Sequence, residues 1–193
     1  MTIGIGTYGY YGTTDLIGGP AKSGAQATSS TTTWRAVRQQ MATVIKALTP
    51  SSLSSDPYRL TQTERADFRQ HAAGNDVAAL REYEIQMVSE EPTGMQNYQI
   101  ELRQVEAELV MAYPHHWGSY HTKDTTNTWN ERALRSLANE DRNLIDKAIG
   151  IRGGSNYVAA QRSCNVGAID FEELDGVTLM VLPLTVTYFH SSS

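Results

Sequence analysis

The residues best suited to chemistry stand in one polar stretch, HHWGSYHTKDTTNTW, where His115, His116 and His121 lie close to Asp124. Imidazole nitrogens and a carboxylate are zinc ligands. A zinc site also needs a scaffold that holds its ligands at fixed angles. Here His115 and His116 are adjacent and no second ligand cluster accompanies them, so no metal is expected. Trp117 and Tyr120 lie in the same stretch, and aromatic residues are enriched where proteins touch. The stretch therefore reads as a polar loop that forms a contact surface. The run GIGTYG from Gly4 to Gly9 has the spacing of a dinucleotide-binding glycine motif. That motif works only between a strand and a helix N-terminus, where backbone amides meet a pyrophosphate. No strand is signalled before Gly4 and no helix after Gly9, so no nucleotide site is expected. A cysteine nucleophile needs a positioned base. None is placed beside Cys164, which reads as a packing or interface thiol. The pairs Glu90–Glu91 and Glu172–Glu173 fall at expected turns and read as solvated charge. No catalytic residue, no cofactor and no enzymatic activity are expected.

Composition narrows the classes further. The 193 residues include 16 basic and 21 acidic side chains, for a net charge of -5, and the pI is near 5.5. Phosphate binding needs clustered Lys and Arg, so a nucleic-acid binder relying on a basic surface is excluded. A single cysteine excludes an internal disulfide and fits a reducing compartment. No apolar run reaches the roughly 18 residues that cross a bilayer, and no basic leader followed by an apolar stretch opens the sequence. The expectation is a soluble protein of the cytoplasm in which it is made, with no membrane contact.

Any contact surface must be positioned by the elements around it. Residues 1–33 are rich in Gly, Thr, Ser and Tyr, with Asp15 and Lys22 as their only charges. They cannot bury enough apolar surface to fold alone. Yet Ile3, Ile5, Tyr8, Tyr10, Tyr11, Leu16 and Ile17 are adhesive, so an extended arm laid on a partner subunit is expected, with an arm packed on its own domain as the alternative. From Trp34 to Leu48 the apolar residues Trp34, Val37, Met41, Val44, Ile45 and Leu48 make one helical stripe, capped by Thr32 or Thr33 and stopped by Pro50. A short helical turn is expected in TQTERADFRQH, with Thr61 and Glu64 as its cap. REYEIQMVS alternates Tyr83, Ile85 and Met87 against Glu82, Glu84 and Gln86, the pattern of a half-buried strand. EEPTG reads as a turn. A long strand is expected from Tyr98 to Tyr113, with a β-bulge near Arg103 and Gln104, where the apolar phase changes; a helix is the alternative, since Leu102, Val105 and Leu109 also suit a 3.6 period. From Asn130 a helix carries Leu134 and Leu137. Asn139 can restart it, with Glu140 and Asp141 at the new positive end, and Gly150 ends it. Short strands are expected near Tyr157–Arg162 and Val166–Phe171, then a turn at Asp175–Gly176 and a final strand from Val177. The fold class is α+β: a mostly antiparallel sheet with two main helices on one face, spanning residues 34–190 as one domain, with a polar tail at 191–193.

One electrostatic pattern stands out. Between Glu82 and Glu108 lie seven acidic residues, Glu82, Glu84, Glu90, Glu91, Glu101, Glu106 and Glu108, against one basic residue, Arg103. Such a band is either an ordinary solvated sheet face or a surface that repels phosphate, past which a duplex slides without sticking.

The order of elements resembles the tail terminator, or tail completion, proteins of long-tailed bacteriophages. The pieces that carry the resemblance are WRAVRQQMATVIKALTP, REYEIQMVS, VEAELVMAYP, NEDRNLIDKAIG and LPLTVTYF, and together they span roughly residues 34–190. The 33-residue arm and the loop from His115 to Trp129 depart from simpler members. The resemblance implies a homo-oligomeric, hexameric ring that caps the head-proximal end of the tail tube. It implies partners in the tail tube protein and in head-closure or other neck proteins, and a lumen through which genomic DNA passes without specific binding. It transfers no catalytic residue. The seven glutamates become candidates for the lumen lining. Tyr8, Tyr10, Tyr11, Leu16 and Ile17 of the arm, Trp117 and Tyr120, and Val177, Leu179 and Val181 become candidates for subunit or neck contacts. Other neck components, a head-closure or a head-tail adaptor protein, are the alternatives within the same class, although an adaptor suits a mostly helical chain. A small ligand-binding domain or enzyme is the alternative outside it, and a deep pocket lined by His115, His116 or Cys164 would favour it.

The final strand sharpens the interface expectation. Met180, Leu182, Leu184, Val186 and Tyr188 share one face and are expected under the helices. Val177, Leu179 and Val181 make the other face apolar in its first half only. Pro183 has no N–H and fits an edge, a bulge or an unpaired ladder position, so it marks where the pairing changes.

Overall fold

The computed structural model of the chain describes residues 33–60, 68–73, 80–97, 100–115, 131–150 and 161–191. These form a mixed α and β structure with one six-stranded sheet and three helices. Helix α1, Trp34–Lys46, begins at Thr33, whose extended backbone and side-chain oxygen cap the Ala36 amide at 3.4 Å. Its inward stripe is Val37, Met41, Ala42 and Ile45, and the Tyr83 hydroxyl donates to the Ala42 carbonyl at 3.0 Å. Helix α2, Phe68–Ala73, is short and buries Phe68 and Ala72. Helix α3 runs unbroken from Glu131 to Ile149 and buries Leu134, Leu137, Ala138, Asp141, Ile145 and Ile149. The expected restart at Asn139 is absent. Asp141 occupies a position on the apolar stripe, not a helix start, because it has a buried cation to meet.

The strands are β1 (Arg59–Leu60), β2 (Glu82–Asn97), β3 (Ile100–Pro114), β4 (Gln161–Val166), β5 (Asp170–Leu174) and β6 (Val177–Ser191). Their order is β1-β2-β3-β6-β4, with β5 also paired to β6. All ladders are antiparallel except the short β1–β2 pair. The expected turn at EEPTG is instead strand: β2 continues to Asn97, which pairs with Ile100. Three register shifts in β2, at Met87/Ser89, Pro92/Gly94 and Met95/Asn97, let it pass its proline and glycine. The bulge expected at Arg103–Gln104 is also displaced. β3 pairs with β6 without interruption from Ile100↔Ser191 to Pro114↔Val177, so the irregularity lies in β2. What looked like a slip is a strand buried on both faces over part of its length. Residues 157–160 of the first expected short strand lie outside the described residues; β4 continues to Val166, and β5 begins four residues later than the alternation suggests.

Pro183 sits where β6 changes partners. β5 pairs with Val177 through Val181, and β4 pairs with Leu184 through Tyr188. On the side where a proline would leave a gap in the ladder, the Gly167 amide donates to the Pro183 carbonyl at 2.8 Å. A Cβ on Gly167 would lie 3.3 Å from the Pro183 ring and carbonyl, so this close crossing favours glycine.

The sheet separates two apolar layers. On one face α1 and α3 cover Tyr83, Ile85, Val105, Leu109, Met111, Met180, Leu182, Leu184, Val186 and Tyr188. On the other, α2 covers Val110, Ala112, Val177, Leu179 and Val181. The helices therefore do not all lie on one face. Met87 also departs from expectation: it is 50% exposed, because it stands on the outer strand beyond the end of β1 and at a register shift.

Phe68 is the large side chain that seals the second layer, and removing a buried phenylalanine costs about 3–5 kcal/mol. Phe68→Ala is expected to lower the unfolding free energy by an amount near the lower end of that range and to raise binding of a hydrophobic dye at neutral pH, as measured by denaturant titration and fluorescence.

Candidate functional site

The densest polar constellation is buried between α3 and the start of β2. Arg81 and Asp141 are both fully buried. Arg81 Nε lies 2.8 and 2.9 Å from the two Asp141 oxygens, and the Tyr58 and Tyr113 hydroxyls donate to the same carboxylate at 2.7 and 2.8 Å. The rest of the guanidinium donates to the carbonyls of Ser52, Leu53 and Asp56 at 2.8–3.1 Å, and it lies 5.5 Å from the Tyr58 ring centroid. Desolvation opposes the Arg81 cation, but the hydrogen bonds and attraction of Asp141 outweigh it and raise its pKa. Burial pushes the Asp141 carboxyl up, against the pull of Arg81 and the two tyrosines. Burial, then the neighbouring carboxylate, raises Tyr58 and Tyr113 well above the ordinary range, so both remain protonated donors. Next door, Glu140 accepts the amides of Ser51 and Ser52 at 2.7 and 2.8 Å. The whole arrangement ties the 48–57 loop to α3 and β2. Each guanidinium nitrogen and both hydroxyls have a hydrogen-bond partner within the fold, so the chemistry is that of a clamp.

The seven candidate lumen glutamates do not form one band. β3 pairing and the contacts of each side chain divide them between the two faces of the sheet. Glu90 and Glu101 lie on the α1 side, where Glu90 accepts from the Tyr188 hydroxyl and both approach Arg103, at 3.4 and 2.7 Å. The register shift after Met87 moves Glu90 to that side. Glu82, Glu91, Glu106 and Glu108 lie on the α2 side. Glu82 meets His71 at 3.2 Å. Glu108 and Glu172 both accept from Arg69 of α2, at 2.8–2.9 Å, and Gln86 lies 3.3 Å from the same guanidinium. Glu84, expected outward, is 3% exposed: its carboxylate bends to the strand edge and pairs with Arg38. Glu106 accepts from Thr185 and Gln104 at 2.9 and 3.0 Å, and Glu91 is exposed. The α2 face remains acidic, but much of its charge is held by α2.

The other candidates are placed as follows. Val177, Leu179 and Val181 are 0–5% exposed beneath α2, so the chain covers them itself. Cys164 is buried in the main core. His115 Nε2 lies 2.8 Å from the Thr178 hydroxyl, which donates to Glu173 at 2.8 Å. The trio has the residue types of a nucleophile, a base and an acid. Yet Thr178 is fully buried and gives its one proton to Glu173, so the imidazole faces it as a donor and is not placed to deprotonate it. The trio pins the end of β3 to the β5–β6 hairpin. Among the described residues no group of three or more His, Cys, Asp or Glu is placed to hold a metal. Tyr8, Tyr10, Tyr11, Leu16, Ile17, His116, Trp117, Tyr120, His121 and Asp124 lie outside the described residues.

Sequence reasoning missed Arg38, Arg69, Arg81 and Asp141. Only Asp141 left a signal, as a carboxylate at the spacing of Leu134, Leu137, Ala138 and Ile145, on the stripe that faces the core.

Arg81→Ala is expected to cost about 3–5 kcal/mol, because it strands a buried carboxylate, and a chemical denaturation series will read this directly. A second expectation concerns pH. Hydrogen bonds from Arg69 hold the Glu172 carboxyl below its ordinary 4.5. A carboxylate whose pKa is lowered by folding stabilises the fold fully above its unfolded value, and that contribution disappears as pH falls through the folded value. The stability difference between the wild type and Glu172→Gln should be constant above about pH 5 and vanish on further acidification. It should also shrink in salt, since the pair is about one-third exposed.

Comparison with known proteins finds no family model that matches the chain and no curated protein with significant similarity to it.

Proposed function

We propose that the chain is a structural virion protein of the tail-terminator class. Six copies form a ring at the head-proximal end of a phage tail tube, end its polymerisation, and join the tail to the neck while DNA passes through the lumen. The protein assembles in the host cytoplasm and resides in the neck of the virion. The observation that supports this most is the architecture. An amphipathic helix precedes a long hairpin, a second helix follows, and the chain returns as a long final strand in the middle of the sheet. Helices α1 and α3 share one face as the two main helices, and the 33-residue arm precedes them.

Two further features fit the reading. The far ends of β2, β3 and β6 carry polar residues on both faces, Glu90, Arg103 and Glu101 on one and Glu91, Gln104 and Thr187 on the other. Such a platform is suited to neighbouring subunits better than to a buried substrate. The α2 face presents Glu91, Glu106, Glu108, Asp170 and Glu172, and like charge repels a duplex. The lumen assignment therefore narrows from seven glutamates to Glu91, Glu106 and Glu108, joined by Asp170 and Glu172, because Glu82 and Glu84 are taken up by His71 and Arg38. Glu90 and Glu101 belong to the opposite face.

Native mass and electron microscopy of the purified protein are expected to give a sixfold ring with a central opening. Deleting residues 1–30 is expected to weaken that assembly while leaving the circular-dichroism spectrum of the domain unchanged. A compact monomer at high concentration would overturn the proposal, and an unfolded deletion variant would overturn the assignment of the arm to assembly.

A further inference from the structure

The outer edge of β2 is sealed at one point and open beyond it. β1 pairs with Glu82 and Tyr83 and then ends. At Ile85 two side chains replace the missing strand: the Ile85 amide donates to Glu84 Oε1 at 3.2 Å, and the Ile85 carbonyl accepts from Arg38 Nε at 2.9 Å. This explains why Glu84 is buried. From Met87 onward β2 has no further strand partner on this side among the described residues. Met87 and Val88 are 50% and 63% exposed, the exposed large hydrophobic side chains of the described residues. An open edge with apolar side chains is a template for an added strand.

Helix α1 begins near the part of β2 that lies beyond the register shift. The Trp34 amide bonds to the Tyr188 hydroxyl, which donates to Glu90 of β2. Further back, Ile3, Ile5 and Thr7 alternate with glycines and lead into Tyr8 and Tyr10. β-branched and aromatic residues at a period of two make a strand sequence. The segment from Thr2 to Gly12 carries no charge, so Glu90 and Glu91 do not repel it. A second β2 edge is a poorer occupant, because its own glutamates would face them. The spacer of roughly 20 residues from Thr13 to Thr32 is rich in Gly, Ser, Thr and Ala, with a root-mean-square reach of about 25 Å. A return to the same edge needs only a short connection. A spacer this long suits a neighbouring copy.

We propose that Ile3–Tyr10 of one copy adds as a strand along Met87–Glu91 of β2 in the next copy, covering Met87 and Val88. Pro92, which lacks an N–H, ends the pairing. Each copy gives one strand and receives one, a head-to-tail contact that closes into a ring when the rotation permits. The proposal rests on the ring reading above and names the contact between its neighbours.

The test places Ile5→Cys and Val88→Cys together in a Cys164→Ala background, oxidises the assembled protein and resolves it on a non-reducing denaturing gel, with native mass measured on the same sample. Linked dimers and longer ladders are expected, and they should be absent from Val88→Cys alone. Maleimide labelling of Val88→Cys should be slower by roughly tenfold or more in the full chain than after deletion of residues 1–12. A link confined to single chains overturns the proposal, as does no link in a sample with oligomeric mass, and both leave the ring intact. No link in a monomeric sample overturns the proposal and the ring reading together.

Discussion

The fold depends on one buried ion pair more than on any other contact. Arg81 has a positive φ of 60°, a backbone state that costs a non-glycine residue about 1 kcal/mol or more. The chain accepts this cost because the residue joins everything near it. Its amide donates to Ala112 of β3, its carbonyl accepts from Arg59 of β1, and its side chain holds Asp141 of α3 and three carbonyls of the 48–57 loop. One residue thus sets the start of β2, its place beside β1 and β3, and the seating of the long helix. A buried pair of this kind contributes little net stability over an apolar one, because its desolvation cost is high. Its role here is to exclude other arrangements: shifting α3 by one residue would bury Asp141 without its three donors, Arg81, Tyr58 and Tyr113.

With that corner fixed, β3 and β6 organise the rest. Their ladder runs unbroken for the length of both strands, so each can be apolar on both faces only where something covers both. The chain supplies that cover with α1 and α3 on one side and α2 on the other. β6 also changes its second partner without a break in its first. Pro183 makes this possible: its carbonyl accepts from the Gly167 amide, and it has no N–H that needs an acceptor on either side.

Much of this was legible from local pattern. The stripe of α1, the Thr33 cap, the alternation of Tyr83 and Ile85, the Asp175–Gly176 turn and the faces of β6 follow from periods of 3.6 and 2, and all of them are found in place. The partner change at Pro183 followed from the missing N–H. The rest was illegible because it depends on contacts distant in sequence. Nothing near Pro92 shows that β2 continues through it, since the register of a bulged strand is set by its neighbour. Val177, Leu179 and Val181 looked like interface because their cover, Phe68 and Ala72, lies over a hundred residues earlier. Glu84 looked solvent-facing because its partner, Arg38, lies on a helix whose packing the strand pattern does not encode. Arg69, Arg81 and Asp141 likewise became meaningful only when the topology brought them together.

The seven glutamates show why a charge count along a strand is a poor guide to a charged surface. Successive residues of a strand face opposite sides, so a run of acidic residues makes a band only if its phase holds. Here the register shift between Met87 and Ser89 reverses the phase of β2. It sends Glu90 to the side of Arg103 and Tyr188 and leaves Glu91 with Gln104 on the other. The same shift leaves Met87 and Val88 exposed at the strand's outer edge. One extra residue therefore both divides the acidic surface and creates the apolar one. Bulges ordinarily protect an edge from pairing by twisting it away. This edge is guarded twice, by the Arg38–Glu84 pair before the bulge and by Pro92 after it. What lies between them is short and bounded, with Met87 and Val88 as its exposed apolar residues, which suits one short strand and disfavours indefinite edge-to-edge addition.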